Sequence, residues 1–176
     1  MIKDNLKHGI NAKFDEKLKE LNKFLPTANP AEGGCAEITL TSILEILEIQ
    51  GGVINNIMIP LSSGFGGYKS QTGQAGPCGV VCGGCAAIGV ILGGKEKMES
   101  NLVPLTYQKA ASFCSEFEKA FGSIFCPDLC RYDFSDPKVI VEYIENNIWG
   151  DVCYKFVIWA VDKVRNMMQT ELEENW

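Results

Sequence analysis

The sequence predicts an all-α fold, a single bundle of about six helices. Two observations lead to this prediction: apolar residues recur at helical spacing in several segments, and no stretch shows sustained alternation of apolar and polar residues. With 176 residues, 46% of them hydrophobic and 22% charged, the chain has the length and composition to bury a core. We divide it into an N-terminal amphipathic helix, residues 1–26, and a cysteine-rich helical domain, residues 27–176.

Charge and cysteine content narrow the classes of function. The formal net charge is −6 and the isoelectric point is about 4.9, so nucleic acid and anionic membrane surfaces are not expected as partners. No stretch is long and apolar enough to span a bilayer, and the first residues lack the apolar core of a secretory signal. We therefore expect a cytoplasmic protein. Eight cysteines in a reducing compartment indicate metal or redox chemistry more than structural disulfides.

The N-terminal half of the chain predicts two helices and a loop. Residues 11–25 carry apolar residues on one helical face, and Pro26 ends that helix. Residues 35–50 are apolar over most of their surface, which predicts a buried helix. The glycine-rich loop at residues 62–76 lacks the GxGxxG and GxxxxGK[ST] spacings, and no βαβ unit surrounds it, so nucleotide binding is not expected.

The central predicted helix lies within residues 77–94, which contain no charged side chain. Helical spacing of i, i+4 and i+7 places Cys78, Cys82 and Cys85 on one face. Glycine is a poor helix former. The glycines of this helix therefore indicate close approach by backbone or by an inorganic group; they are Gly79, Gly83, Gly84 and Gly89.

The C-terminal half predicts three further helices and a short turn. Residues 104–122 place Cys114 on an apolar face, where core packing is its expected role. A short turn carries Cys126 and Cys130, and a helix from residue 135 to 148 follows. The last helix begins after Gly150-Asp151, and the acidic end of the chain is expected to be frayed.

Four cysteines stand at or near the start of a predicted helix: Cys35, Cys78, Cys126 and Cys153. The first turn of a helix has unpaired N–H groups and a partial positive potential, which favour thiolate and lower the cysteine pKa. Four thiolates from four helices could meet at one centre in a bundle. Such a set suits zinc or an iron–sulfur cluster, although the single CxxC, Cys82-Gly-Gly-Cys85, matches neither zinc-ribbon nor ferredoxin spacing.

At these residues the sequence resembles the redox-active proteins named for their C_GCAxxG_C_C cysteine pattern. The matching elements are the helix start CAE at 35–37, the GFGG segment at 64–67, CGVVCG at 78–83, Cys126 after FGSIF, and Cys153. Val80 stands where the family setting has alanine. GCAAIG at 84–89 offers a second placement of the motif, centred on Cys85.

The resemblance covers most of the chain, residues 35–164. Members of this family are similar to the cluster-bearing part of split-Soret cytochromes, which implies an iron–sulfur cluster, [2Fe–2S] or [4Fe–4S]. The haem-binding residues of those cytochromes are not recognisable here. The implied ligands are Cys35, Cys78, Cys126 and Cys153.

The resulting hypothesis is a protein that transfers one electron to or from a redox protein partner. Cys82 and Cys85 would be alternate ligands, neighbours of the ligands or part of a second cluster. A loop containing Gly64, Gly66 and Gly67 would cover the centre. A homodimer is compatible with the apolar helices. The alternatives are a metal-free thiol–disulfide oxidoreductase, which would use Cys78, Cys82 and Cys85, and an interaction domain held together by structural zinc.

Overall fold

The chain is all-helical in the computed structural model, which describes residues 2–30 and 32–176, with side chains from residue 9 onward. These ranges contain two isolated β-bridges and no longer strand. The helical segments are α1 (Ile2–Phe24), α2 (Cys35–Ile46), α3 (Gly52–Met58), α4 (Ser63–Gly67), α5 (Gly79–Gly93), α6 (Val103–Phe121), α7 (Cys126–Cys130), α8 (Val139–Glu145), α9 (Tyr154–Met167) and α10 (Gln169–Asn175).

The described residues form ten such segments, more than the six or so predicted, because five of them are short, with five to seven residues each: α3, α4, α7, α8 and α10. The second helix ends at Ile46, short of residue 50, and Glu48 follows with φ 55°. The end of the chain is not frayed: it forms α10, in which Leu172 is buried, and the Trp176 indole donates a hydrogen bond to the Ile91 carbonyl. Within the described ranges, no helix combines the length and apolar character needed to cross a bilayer.

Helix α5 lies at the centre of the fold and packs against α2, α6 and α9. Two of its glycines make this close packing possible. A Cβ atom at Gly83 would lie 2.6 Å from the Ala36 carbonyl oxygen of α2, and one at Gly84 would overlap the Phe113 ring of α6. Gly89, by contrast, faces open space. The predicted close approach by backbone is therefore confirmed for Gly83 and for Gly79, where a Cβ atom would lie 3.0 Å from the Ala36 nitrogen, whereas Gly84 is approached by a side-chain ring.

An aromatic cluster joins α6 to α9. Phe117 is fully buried and meets Trp159 edge-on, with ring centroids 5.4 Å apart. Phe121 meets Phe156 in the same manner at 4.7 Å. Phe117 and Phe121 occupy the apolar face predicted for residues 104–122, so the cluster confirms that assignment.

A buried hydrogen bond connects the end of α1 to the segment before α9. Trp149 is 4% exposed, and its indole N–H donates to the Leu25 carbonyl oxygen at 2.7 Å. Trp149 begins a π-helical turn, Trp149–Cys153, that runs directly into α9. A Cβ atom at Gly150 would lie 2.5 Å from the Pro26 carbonyl oxygen, so the two segments are in tight contact.

We expect Trp149→Phe to lower the free energy of unfolding by about 1–2 kcal/mol, because it removes this hydrogen bond and part of a buried ring. The Ala28 N–H still pairs with the same carbonyl, which limits the loss. Thermal unfolding measures the change, at about 2–4 °C in Tm per kcal/mol for a chain of this size. Tyr107→Phe is the control, since Tyr107 is 71% exposed; equal Tm values for the two variants would contradict the prediction.

Candidate functional site

Five cysteines line one cavity of about 290 Å³. The rest of its wall is mainly apolar, with aromatic and aliphatic side chains such as Phe134, Trp149 and Ile140. None of the described residues that line it is charged. The structure therefore gathers sulfur atoms from four separate segments into a space with few other polar groups; the five are Cys35, Cys78, Cys126, Cys130 and Cys153.

Three of the four cysteines predicted at helix starts are found there, whereas Cys153 is the last residue of the π-helical turn that runs into α9. Cys35 and Cys126 are the first residues of α2 and α7, while Cys78 and Cys153 directly precede α5 and α9. Two backbone hydrogen bonds hold the starts of α5 and α7 together. The Cys78 N–H donates to the Ile124 carbonyl at 2.7 Å, and the Cys126 N–H donates to the Gly76 carbonyl at 3.2 Å.

One side of the cavity is formed by α4, whose backbone is left-handed. Its five consecutive residues, Ser63–Gly67, have φ values of 54°, 66°, 60°, 68° and 85°. The Gly66 N–H donates to the Ser62 carbonyl at 2.9 Å, as in one turn of a mirror-image helix. An L-residue in this conformation costs roughly 1–2 kcal/mol, so Ser63 and Phe65 are strained. Such strain is often found at functional sites.

The three glycines predicted to cover the centre lie in this turn, but their positions differ. Gly66 lines the cavity. Gly64 is close behind it, since a Cβ atom there would lie 3.1 Å from the Cys126 Cβ. Gly67 instead packs against the Phe134 carbonyl, where a Cβ atom would overlap. The glycine-rich segment thus begins with a compact turn, where the sequence analysis predicted a loop.

Cys35 is the cysteine best prepared to be a thiolate. The largest influence on the Cys35 pKa is a hydrogen bond that the Cys78 thiol donates to the Cys35 sulfur. The N–H groups of Ser63 and Ala36 and the Ser62 hydroxyl add to it. Together they outweigh the effect of burial and lower the Cys35 pKa to about 6. Gly79 allows this crowding, because a Cβ atom there would lie 2.5 Å from the Cys35 Sγ.

The other helix-start cysteines do not follow the expected trend. The hydrogen bond that Cys78 donates to Cys35, together with burial, raises the Cys78 pKa. Cys126 likewise has a raised pKa because it donates to Cys130, and the pKa of Cys130 is lowered. Burial raises the pKa of Cys153 to about 12, although the Tyr143 hydroxyl donates to its sulfur. The prediction that helix starts lower all four pKa values is therefore wrong, since burial and neighbouring thiols dominate at three of them.

The remaining cysteines lie outside the cavity. Cys85 and Cys114 are half-buried and their Sγ atoms are 3.7 Å apart. Cys82 is also half-buried, and burial raises its pKa to about 11. Cys78 rather than Cys85 is thus the cavity residue of the central helix.

Cys130 is the cavity residue that the sequence analysis did not assign. The spacing of Cys126 and Cys130, i and i+4 within one turn, is the signal that could have placed both on the same side. The described residues include no group of three or more His, Cys, Asp or Glu side chains arranged to hold a metal ion. The sulfurs engage one another in pairs instead, Cys35 with Cys78 and Cys126 with Cys130.

Comparison with known proteins identifies one family. A family model described as "Putative redox-active protein (C_GCAxxG_C_C)" matches residues 34–167, which include all eight cysteines and α2 through α9. No curated protein and no solved structure matches the chain.

Proposed function

We propose, from the premise that this chain belongs to the C_GCAxxG_C_C family of redox-active proteins, that it is an iron–sulfur electron-transfer protein. The observation that carries the proposal is the cavity lined by five cysteines. A volume of about 290 Å³ is far more than one ion needs, because a water in the liquid takes about 30 Å³.

The donor set supports a soft, sulfur-ligated group. Cysteine thiolate is the ligand of iron–sulfur clusters, and four thiolates complete either a [2Fe–2S] or a [4Fe–4S] cluster. The residues we assign as ligands are Cys35, Cys78, Cys126 and Cys153. Cys130 is the alternative to Cys126, since both lie on α7 and line the same cavity. When bound, the cluster would supply reversible one-electron chemistry.

The surrounding residues would stabilise such a cluster and adjust its reduction potential. The N–H groups of Ser63 and Ala36 and the Ser62 hydroxyl stabilise negative charge on the Cys35 sulfur, and hydrogen bonds to ligand sulfur raise the reduction potential of a cluster. The Tyr143 hydroxyl is placed to act similarly on Cys153. The apolar wall limits access of water to the sulfur atoms.

Electron exchange would take place with a protein partner at the open side of the cavity. Ile140 and Ile144 line the cavity and are each 48% exposed, so the wall reaches the surface on α8. Exposed apolar side chains beside a buried redox group suit a transient protein contact.

Protein purified without oxygen tests the proposal through its visible spectrum and its content of iron, acid-labile sulfide and zinc. We expect brown protein with iron and sulfide in equal amounts. Colourless protein that contains no iron and cannot be reconstituted with iron and sulfide would overturn the proposal. Bound zinc in that sample would indicate a structural site.

A second candidate function is metal-free thiol–disulfide exchange, and a specific observation favours it. Cys35, with its pKa lowered to about 6, is hydrogen-bonded to the Cys78 thiol, which is the arrangement of an attacking thiolate and its resolving thiol. The pair differs from the Cys78, Cys82 and Cys85 set expected from the sequence, because only Cys78 of those three lines the cavity. Iron-free protein that loses two thiols through a Cys35–Cys78 bond would establish this function.

A further inference from the structure

A second pair of cysteines lies outside the cavity, between α5 and α6. The Sγ atoms of Cys85 and Cys114 are 3.7 Å apart, which is hydrogen-bond distance for sulfur. Neither side chain lines the cavity, and each is half-buried, so solvent reaches both. This pair has no part in the function proposed above.

The packing of the two helices brings these sulfurs together. Gly84 and Phe113, the residues that precede them, are in contact, and no side chain at Gly84 separates the Phe113 ring from α5. The Cys85 Sγ also approaches the Ala110 carbonyl, one turn before Cys114 on α6, at 4.0 Å. The two thiols therefore face each other across a close helix contact. An S–S bond of about 2.05 Å would close the 3.7 Å gap between the two sulfur atoms.

We propose that Cys85 and Cys114 form a reversible disulfide, a dithiol switch that exchanges with small-molecule disulfides such as oxidised glutathione. Cys114 attacks one sulfur of the oxidant as thiolate, which forms a mixed disulfide and expels one thiolate. Cys85 then attacks the Cys114 Sγ as thiolate, which forms the Cys85–Cys114 bond and expels the second. Two electrons pass to the oxidant, and the two protons of the pair end on the two released thiols.

The surroundings of the two thiols determine which of them attacks the oxidant. The hydrogen bond between the two thiols lowers the Cys114 pKa to about 7 and, with burial, raises that of Cys85, so Cys85 is the donor once Cys114 is ionised. Cys114 is thus ionised near neutral pH and is the attacking sulfur. Cys82, one turn before Cys85 on α5, is the competing partner, because Cys82 and Cys85 form the CxxC of the chain.

Peptide mapping of the whole protein tests the proposal. The protein is equilibrated in mixtures of reduced and oxidised glutathione, its free thiols are alkylated, and disulfide-linked peptides are identified by mass spectrometry. We expect the peptides of Cys85 and Cys114 to become linked and the number of alkylated thiols to fall by two. Iron content is measured on the same samples, so that loss of a metal centre from the cavity is detected separately from oxidation of Cys85 and Cys114.

Two serine variants serve as a matched pair. Cys114→Ser should lose the linked peptide, while Cys82→Ser, a change one turn away from Cys85 on α5, should keep it. Linkage of Cys85 to Cys82 in the wild-type chain would overturn the proposal. So would a glutathione adduct on Cys114 that persists without linkage, or the absence of any oxidation at either cysteine.

Discussion

Cys78→Ser is expected to yield protein that is colourless and contains less than about a tenth of the wild-type iron. Cys78 is buried, lines the cavity and donates to the Cys35 sulfur. Loss of an outer hydrogen-bond partner alone commonly lowers metal affinity about 10–100-fold, and loss of a direct ligand is expected to exceed that. Iron, acid-labile sulfide and the visible spectrum of anaerobically purified protein measure the effect.

Cys114→Ser is the matched control for this experiment. Cys114 lies on α6, outside the cavity, so this variant should retain its colour and iron. Circular dichroism of both variants shows whether each has folded. A folded Cys78→Ser protein with full iron content would remove Cys78 from the ligand set. Loss of iron from folded Cys114→Ser protein would show that the centre extends beyond the five cavity cysteines.

Gly83→Ala is expected to destabilise the protein by about 2–3 kcal/mol. The new Cβ atom would lie 2.6 Å from the Ala36 carbonyl oxygen and 2.7 Å from the Thr39 Cβ, both on α2. Neither atom is the end of a flexible side chain, so the α2–α5 contact must widen. Overpacking of this kind costs roughly 1–3 kcal/mol and occasionally more, which exceeds the helix propensity gained by replacing glycine. Urea unfolding measures the change.

The opposite effect on stability is expected for Gly89→Ala on the same helix. Nothing lies within 4 Å of a Cβ atom at that position. Alanine should therefore stabilise α5 by about 0.5–1 kcal/mol through helix propensity alone. The two identical substitutions, six positions apart, should shift the urea midpoint in opposite directions. A stabilised Gly83→Ala protein would mean that α2 and α5 are less closely packed than the structure shows.

Helical periodicity was sufficient to predict much of the fold. The apolar face of α6 and the start of α2 at Cys35 were predicted from residue spacing. Gly122 marks the end of α6 because glycine accepts the left-handed conformation, here with φ 85°. Pro26 marks only the change from α1 to a 3₁₀ turn, Leu25–Thr27, that continues from it. The cysteines at helix starts were found by the same reasoning.

The features that sequence reasoning missed depend on contacts between distant segments. The pKa values of Cys78 and Cys126 are raised by neighbours on other helices or one turn away, and burial cannot be read from a helix position. The contact of Cys85 with Cys114 requires the packing angle of α5 on α6, which no spacing within either helix determines. The left-handed backbone of α4 was missed because Ser63 and Phe65 are not residues that favour it.

The mirror-image turn at Ser63–Gly67 also limits how this gene can vary. A single-base change in a glycine codon yields only alanine, valine, serine, cysteine, arginine, tryptophan, aspartate or glutamate. At Gly64, Gly66 and Gly67 each of these adds a Cβ atom to a backbone with φ between 66° and 85°. Asparagine, which tolerates that backbone better, lies two base changes away. Of the single-base replacements only aspartate occupies left-handed backbone with some frequency, so few point mutations of the three glycines are expected to be neutral, whereas Gly89, where nothing lies within 4 Å of an added Cβ atom, can accept alanine.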